Sequence, residues 1–305
     1  MYKVHCLNNI SQKGLDLLTS EYELTDSVDD ADVILVRSAD MHEMDVPDSL
    51  KAVARAGAGV NNIPLDKLAE RGIPVFNTPG ANANAVKELV LAGMLLSARD
   101  IIGGNAWVVE NADDENVGKA AEKAKKQFAG GEIMGKTLGI IGLGAIGKKV
   151  AVAADALGMD VVGYDPFMDA QTAAGIVDGL RFVTDLNDLY EASDYITIHV
   201  PATGDTKGMI DQAAISKMRD GVVFLNFSRD SLVNDADMAA ALESGKVARY
   251  VSDFANPAVV KMSNAIVLPH LGASTEEAED NCAIMAVNEV MDYLANGTKT
   301  HCVNL

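Results

Sequence analysis

The stretch Gly142-Leu143-Gly144-Ala145-Ile146-Gly147 constrains this chain more than any other feature, because it lies where a strand pattern, T-L-G-I-I, passes into a helical one, K-K-V-A-V-A-A-D-A-L. At such a junction the first glycine permits a tight turn and the second lets backbone approach a pyrophosphate. The third lets helix and strand pack closely, and the helix N-terminus holds the phosphates. The pattern comes with its acidic partner. Asp165 ends the next strand, D-V-V-G-Y-D-P, where a carboxylate accepts hydrogen bonds from ribose hydroxyls and repels a 2′-phosphate, so NAD is expected over NADP.

The flanking sequence supplies the rest of an α/β fold. Strand-length apolar runs at Tyr2 to Leu7, Ala31 to Val36, Lys51 to Ala54 and Val75 to Asn77 alternate with helical patterns at Gln12 to Ser20 and Leu65 to Arg71. A single long helix is expected from about Asn84 through Val109, with Val86, Leu89, Val90, Gly93, Met94 and Ser97 at three- and four-residue spacing. Residues 111 to 131 are charged and end in a glycine pair, which predicts an exposed stretch. A six-strand, doubly wound pattern follows, at Thr137 to Ile141, Asp160 to Tyr164, Tyr195 to His199, Val222 to Asn226, Tyr250 to Asp253 and Ala265 to Leu268. A last helix is expected at about Thr275 to Asn296.

Composition narrows the function classes. With 305 residues, 49% of them hydrophobic, the chain can bury two cores of ordinary size. A formal net charge of −19 repels phosphate backbones and anionic lipid, so neither nucleic acid nor membrane is expected as a partner, and a small anionic ligand would need a local basic pocket. Cys6, Cys282 and Cys302 have no CxxC spacing and read as reduced thiols. His5, His42 and His301 share no metal-ligand spacing, and no metal is expected. The start M-Y-K-V-H-C-L lacks the layout of a signal peptide, and no apolar run is long enough to span a bilayer. The expectation is a cytoplasmic protein.

In a doubly wound sheet, ligands lie beyond the carboxyl ends of the strands, so the residues just after each strand are the informative ones. Those are Val200-Pro201 after His199, Phe227-Ser228-Arg229, Asp253, and Pro269-His270-Leu271-Gly272. Hydride transfer between a hydroxy acid and NAD needs a base for the hydroxyl proton and a cation for the carboxylate, which His270 and Arg229 would supply. His199 more plainly shapes an adenine pocket. Trp107, the only tryptophan, reads as a packing residue first and a dimer contact second.

At these residues the chain resembles the D-2-hydroxyacid dehydrogenases, and among them the D-3-phosphoglycerate dehydrogenases. The resemblance is carried by R-S-A-D (37 to 40), R-A-G-A-G-V-N-N-I (55 to 63), R-G-I-P-V-F-N-T-P-G-A-N (71 to 82), G-K-T-L-G-I-I-G-L-G-A-I-G (135 to 147), G-Y-D-P (163 to 166), H-V-P (199 to 201), N-F-S-R (226 to 229) and P-H-L-G-A-S-T (269 to 275). It implies two doubly wound domains with a cleft between them. One is a flavodoxin-like substrate domain from 1–97 and 274–305, the other a Rossmann cofactor domain from 98–273. It further implies that Arg229 binds the substrate carboxylate and oxo group, that His270 is the general acid and base, and that Asp253 bonds the nicotinamide side. Gly142, Gly144, Ala145, Ile146, Gly147, Asp165, Val200, Pro201, Phe227, Ser228 and Gly272 would complete the cofactor site. Arg37, Ser38, Gly57, Ala58, Gly59 and Asn61 would face the far end of the substrate.

The implied reaction interconverts a D-2-hydroxy acid and its 2-oxo acid, 3-phosphoglycerate first, in a homodimer paired through the helix after Asn84. Glyoxylate or hydroxypyruvate reduction, or an NAD(H)-sensing binding role of the corepressor type, stay open. Two departures stand out. Family members carry a Glu shortly after the position of Asp253 that bonds the catalytic His, whereas D-F-A-N-P-A-V-V-K-M has no acid there and offers only Asn256. Asp230 follows Arg229 where Gly is common. With the sequence ending at Leu305, a short form without the regulatory extension of some members is expected.

Overall fold

The computed structural model describes residues 1–305, which divide into two compact units, Met1–Ala85 with Ala273–Leu305, and Val86–Gly272. The first holds β1 (Tyr2–Cys6), α1 (Gln12–Leu15), β2 (Tyr22–Leu24), β3 (Val33–Val36), β4 (Ala52–Arg55), α2 (Leu65–Glu70) and β5 (Val75–Phe76). All pairings are parallel, in the order β2-β1-β3-β4-β5, the flavodoxin-like arrangement. The central run V-I-L-V of β3 is buried throughout, as a strand covered on both faces requires. Val33 and Leu35 join Val4, Ala54 and Phe76 against the last helix, Glu276–Asn296, which contributes Cys282, Ala283, Ala286, Val287 and Val290. Ile34 and Val36 face the other way, toward Met41, Leu50, Ile63 and Leu68. The last helix is capped by Thr275, whose side chain accepts from the Ala278 N–H, and stops at Gly297 in the left-handed region (φ 72°).

The second unit continues with α3 (Ala83–Ala98), α4 (Ile101–Glu110), α5 (Val117–Ala124), β6 (Thr137–Ile141), α6 (Ala145–Ala156), β7 (Asp160–Tyr164), α7 (Ala170–Ala174), β8 (Arg181–Val183), α8 (Leu186–Ala192), β9 (Tyr195–Ile198), α9 (Gln212–Lys217), β10 (Val222–Asn226), α10 (Asp235–Ser244), β11 (Val247–Ser252) and β12 (Ala265–Val267). Its sheet runs β12-β11-β10-β9-β6-β7-β8, all parallel. The order reverses between β6 and β9, which is where a doubly wound sheet binds its ligand.

Three expectations change. The sheet has seven strands where six were read, because β8 is an edge strand of only three residues, R-F-V, with too few alternations to register. The short edge strand β2 escaped in the same way. The helix expected to run unbroken to Val109 ends at Ala98 and restarts at Ile101. There Asp100 caps the new helix by accepting from the Gly103 N–H (3.0 Å), and the Ala98 carbonyl turns to the Gly131 N–H (2.9 Å). The stretch 111–131 is largely exposed, as expected. It forms α5 and a 3₁₀ turn, Lys125–Phe128, whose Phe128 ring lies 6.5 Å from Trp107. The division between the units falls at Ala85, earlier than the expected 97, because Val86, Val90 and Met94 of α3 are buried with Leu138, Ile140, Val223 and Leu225.

Candidate functional site

At the switch point the glycine-rich turn follows β6. Gly142 has φ 93°, and a Cβ there would stand 2.6 Å from the His199 carbonyl oxygen, so neither the backbone conformation nor the space admits another residue. A Cβ on Gly147 would meet the Gly142 carbonyl at 2.0 Å, which lets α6 start directly against the strand end. Gly144 differs, with nothing within 4 Å of its would-be Cβ. It is the N-cap of α6, and no side chain caps that helix. The first N–H groups, around Ala145 and Ile146, are therefore available to an anion and are backed by the helix dipole.

Asp165 braces this cradle. Its Oδ2 accepts from the Leu143 N–H and its Oδ1 from the Phe167 N–H, both at 2.9 Å. Each oxygen retains a lone pair for a ribose hydroxyl. On the opposite wall, the Ser228 hydroxyl donates to the Val200 carbonyl (2.5 Å), tying the loop after β9 to the loop after β10 beside exposed Pro201 and buried Phe227. An open, uncapped helix N-terminus, two glycines, Gly142 and Gly147, that no side chain could replace, and a carboxylate at the next strand end fit a dinucleotide. These residues would hold NAD by its pyrophosphate and adenosine ribose. His199 is half-buried, with Nε2 3.0 Å from the Thr197 hydroxyl and a buried Nδ1 that has no partner; burial pushes its pKa down to about 3, so the ring is neutral.

Arg229 stands exposed after β10, and its guanidinium bonds only the Ser228 carbonyl, Nη1 to O at 2.6 Å. Its own carbonyl accepts from the Asn226 amide (2.9 Å), which fixes the backbone behind it. Asp253 is 1% exposed, and its carboxylate accepts from the Leu271 N–H and the Gly272 N–H, each at 2.7 Å. The group expected at the nicotinamide thus anchors the turn that carries His270. That turn is unusual, since His270 has φ 59°, in the left-handed region, with its exposed ring 5.0 Å from Phe254 in an edge-on arrangement.

Asn256 does not serve as a stand-in for the missing glutamate. Its Nδ2 donates to Asp230 (3.0 Å) and Asp235 (2.9 Å), and its Oδ1 accepts from the Ala258 and Val259 N–H groups (2.8 and 2.9 Å), so its amide is fully engaged away from His270. The second departure from the family pattern is resolved by the same contact, because the Asp230 carboxylate is held by Asn256. Burial, with the Asp230 charge nearby, pushes the Asp235 carboxyl up against the opposing Asn256 hydrogen bond.

In the first unit, the turn after β3 is organised by a residue that sequence reasoning missed. Asn8 Oδ1 accepts from three successive N–H groups, those of Arg37 (2.9 Å), Ser38 and Ala39 (both 3.0 Å), and only the Asn-Asn pair after β1 hinted at it. Arg37 is ion-paired to Glu279 (2.6 Å), and the Arg55 Nε donates to the Arg37 carbonyl (3.1 Å). Gly57 has φ 154°, and a Cβ there would meet the Arg55 guanidinium at 2.2 Å. Asn77 donates to the Ala58 carbonyl (2.7 Å), while Gly59 is half-buried and Asn61 exposed at the end of this loop.

Residues 91–272 match the family model described as D-isomer specific 2-hydroxyacid dehydrogenase, NAD binding domain. The chain is 36% identical over 298 residues, 94% of its length, to a D-3-phosphoglycerate dehydrogenase of Methanocaldococcus jannaschii, and spans 54% of that protein. It thus covers about half the length of the phosphoglycerate dehydrogenases that lead its curated relatives. It is 35% identical to a hydroxypyruvate reductase of Thermotoga maritima, over 96% of this chain and 98% of that one. Among solved structures, an NAD⁺-bound 3-phosphoglycerate dehydrogenase of Entamoeba histolytica superposes with a TM-score of 0.79 at 26% identity, covering 100% of this chain and 99% of the other. With this match across the second unit and these relatives along nearly its whole length, the chain belongs to the D-isomer specific 2-hydroxyacid dehydrogenase family.

Proposed function

We propose that this chain is an NAD-dependent dehydrogenase interconverting a D-2-hydroxy acid and its 2-oxo acid, with 3-phosphoglycerate and 3-phosphohydroxypyruvate as the pair and serine biosynthesis as its setting. The observation that carries the reading is Arg229, a guanidinium with four of its five donors uncommitted, in the same unit as His270 and the glycine cradle. The fork binds the substrate carboxylate and orients its oxo group. When bound, the nicotinamide supplies the hydride in reduction and takes it up in oxidation. His270, protonated, gives its proton to the oxo oxygen in reduction, and the neutral ring recovers a proton from the hydroxyl in the reverse direction. Asp253 keeps His270 presented by holding the two N–H groups that follow it.

The test is NADH oxidation with phosphohydroxypyruvate, hydroxypyruvate, glyoxylate and pyruvate. Turnover of the first above the others supports the proposal. NADH binding without turnover of any of the four refutes it in favour of a sensing role. A second reading, reduction of hydroxypyruvate or glyoxylate, is favoured by the ion pair that already occupies Arg37. Assembly as a homodimer is part of the proposal. No residue of α4 is buried, and Ile101, Ile102, Val108 and Val109 are 47 to 65% exposed, an apolar face that a second copy would cover. A cytoplasmic setting fits three cysteines present as free thiols.

A further inference from the structure

Three neighbouring strands of the second sheet, β10, β11 and β12, end in segments that carry Arg229, Asp253 to Asn256, and His270. The side chain of Asn256 divides its bonds between two of those segments. Its Oδ1 stays local, accepting from the Ala258 and Val259 N–H groups (2.8 and 2.9 Å), which seats the 3₁₀ turn Val259–Lys261 on the core through buried Val259. Its Nδ2 crosses to the segment after β10, where one N–H donates to Asp230 Oδ1 (3.0 Å) and the other to Asp235 Oδ2 (2.9 Å) in the first turn of α10. The local turn needs only the oxygen, and an aspartate would serve it as well. What asparagine adds is the nitrogen, a double donor placed between two carboxylates, one of whose charges acts on the other. Both ends of this bridge adjoin the groups of the site. Asp230 follows Arg229 directly, and two residues before Asn256 the Phe254 ring lies edge-on at 5.0 Å from the His270 ring.

We propose that Asn256 is a positioning residue: the nitrogen side of its amide staples the loop that carries Arg229 to the loop that carries Asp253 and Phe254, and so holds the guanidinium and the His270 imidazole in one fixed relation. This rests on the proposed function, in which the first takes the substrate carboxylate and the second moves the proton. A 2-oxo acid presents its carboxylate and its oxo oxygen on adjacent carbons, so the two protein groups must meet it at a set separation. Misplacement by about 1 Å is enough to cost an order of magnitude or more in rate. Each strut of the staple ends on a carboxylate and is stronger than a neutral hydrogen bond. The loss on breaking it falls on kcat and spares cofactor binding, because the glycine cradle after β6 shares none of these bonds.

Asp230→Ala and Asp230→Asn remove the same charge beside Arg229 and differ in whether Asn256 keeps an acceptor there. The side chain is exposed, so both variants are expected to fold. With the 2-oxo acid that the wild type reduces fastest, kcat is expected to fall roughly tenfold in Asp230→Ala, with the KM for NADH within about twofold, and to return to within about threefold of wild type in Asp230→Asn. Asn256→Asp keeps the acceptor that seats the 3₁₀ turn but aims a carboxylate at two others, and is expected to lose at least as much as Asp230→Ala. Hydrogen-exchange mass spectrometry of the NADH complexes reads the staple without turnover. Asn256→Asp is expected to speed exchange in both 253–261 and 227–235, whereas a residue that only seats its own turn would alter 253–261 alone. Equal kcat in Asp230→Ala and Asp230→Asn, a wild-type kcat in Asn256→Asp, or exchange altered in 253–261 alone overturns the inference. If the wild type reduces no 2-oxo acid while exchange rises in both loops of Asn256→Asp, the dehydrogenase reading fails and Asn256 stands as the staple between the loops.

Discussion

Replacing Asp253 by Asn tests whether this carboxylate serves chiefly as the clamp of the His270 turn. The wild-type side chain is 1% exposed, and its two oxygens each accept a backbone N–H at 2.7 Å. An asparagine keeps one acceptor and turns an amide NH₂ toward the other N–H, so one charge-assisted hydrogen bond is lost and a buried donor is left facing a donor. The first loss is about 1.5 to 3 kcal/mol and the second about 1 to 3 kcal/mol, with partial relief as the turn shifts, so about 3 kcal/mol is a reasonable net. The seated turn also holds His270 at φ 59°, a conformation that costs a non-glycine residue roughly 1 to 2 kcal/mol. A clamp weakened by about 3 kcal/mol shifts the balance between seated and released turn by roughly 150-fold. kcat/KM for 2-oxo acid reduction should therefore fall at least tenfold, while the Kd for NADH, read by fluorescence, stays within about twofold because the glycine cradle is untouched. A melting temperature and kcat/KM both equal to wild type would refute the clamp. A loss of NADH affinity as large as the loss in kcat/KM would instead make Asp253 primarily a nicotinamide contact.

Other outcomes follow from the same geometry. Arg229→Ala should abolish measurable turnover with NADH binding retained, and wild-type activity in that variant would remove Arg229 from the site. His270→Asn should lose roughly 10² to 10⁴ in rate, checked by single-turnover reduction. Asp165→Ser should narrow a strong preference for NADH over NADPH, since a 2′-phosphate would no longer meet a carboxylate; equal use of both cofactors by the wild type would count against the ribose assignment. His199 gives a pH dependence. Its folded pKa, about 3, lies below the ordinary 6.5, so the unfolded chain takes up a proton that the folded chain refuses. Its contribution is fully present above pH 6.5 and declines by up to about 1.4 kcal/mol per unit as the pH falls toward 3. Urea unfolding at pH 7 and pH 5 should show a difference that His199→Phe reduces.

The cofactor half of the molecule was legible because its signals are local. Gly142, Gly144 and Gly147 are fixed by a turn, an open approach and a close packing that their spacing alone encodes, and the strand bounds Thr137–Ile141, Asp160–Tyr164 and Val222–Asn226 were read as they stand. What escaped depends on partners far apart in sequence. Nothing near Asn256 indicates that its amide joins Asp230 to Asp235, and the pairing of Arg37 with Glu279 links the third strand to the last helix. The break at Arg99 and Asp100 was hidden by a different cause, an apolar periodicity that carries on in α4 although no residue there is buried. Periodicity reports an apolar face, not what covers it or whether the backbone behind it is continuous.

With His270 as the proposed proton donor and acceptor, its left-handed conformation would set folding and chemistry against each other at one residue. A glycine at 270 would relax the turn and stabilise the protein by up to about 1 to 2 kcal/mol, yet would remove the imidazole. Random substitution screened only for thermal tolerance should therefore enrich His270→Gly, while the same library screened for turnover should discard it. Stabilising changes that preserve activity must come from elsewhere, and the scaffold around this turn is where a more heat-tolerant enzyme would have the least room to be rebuilt.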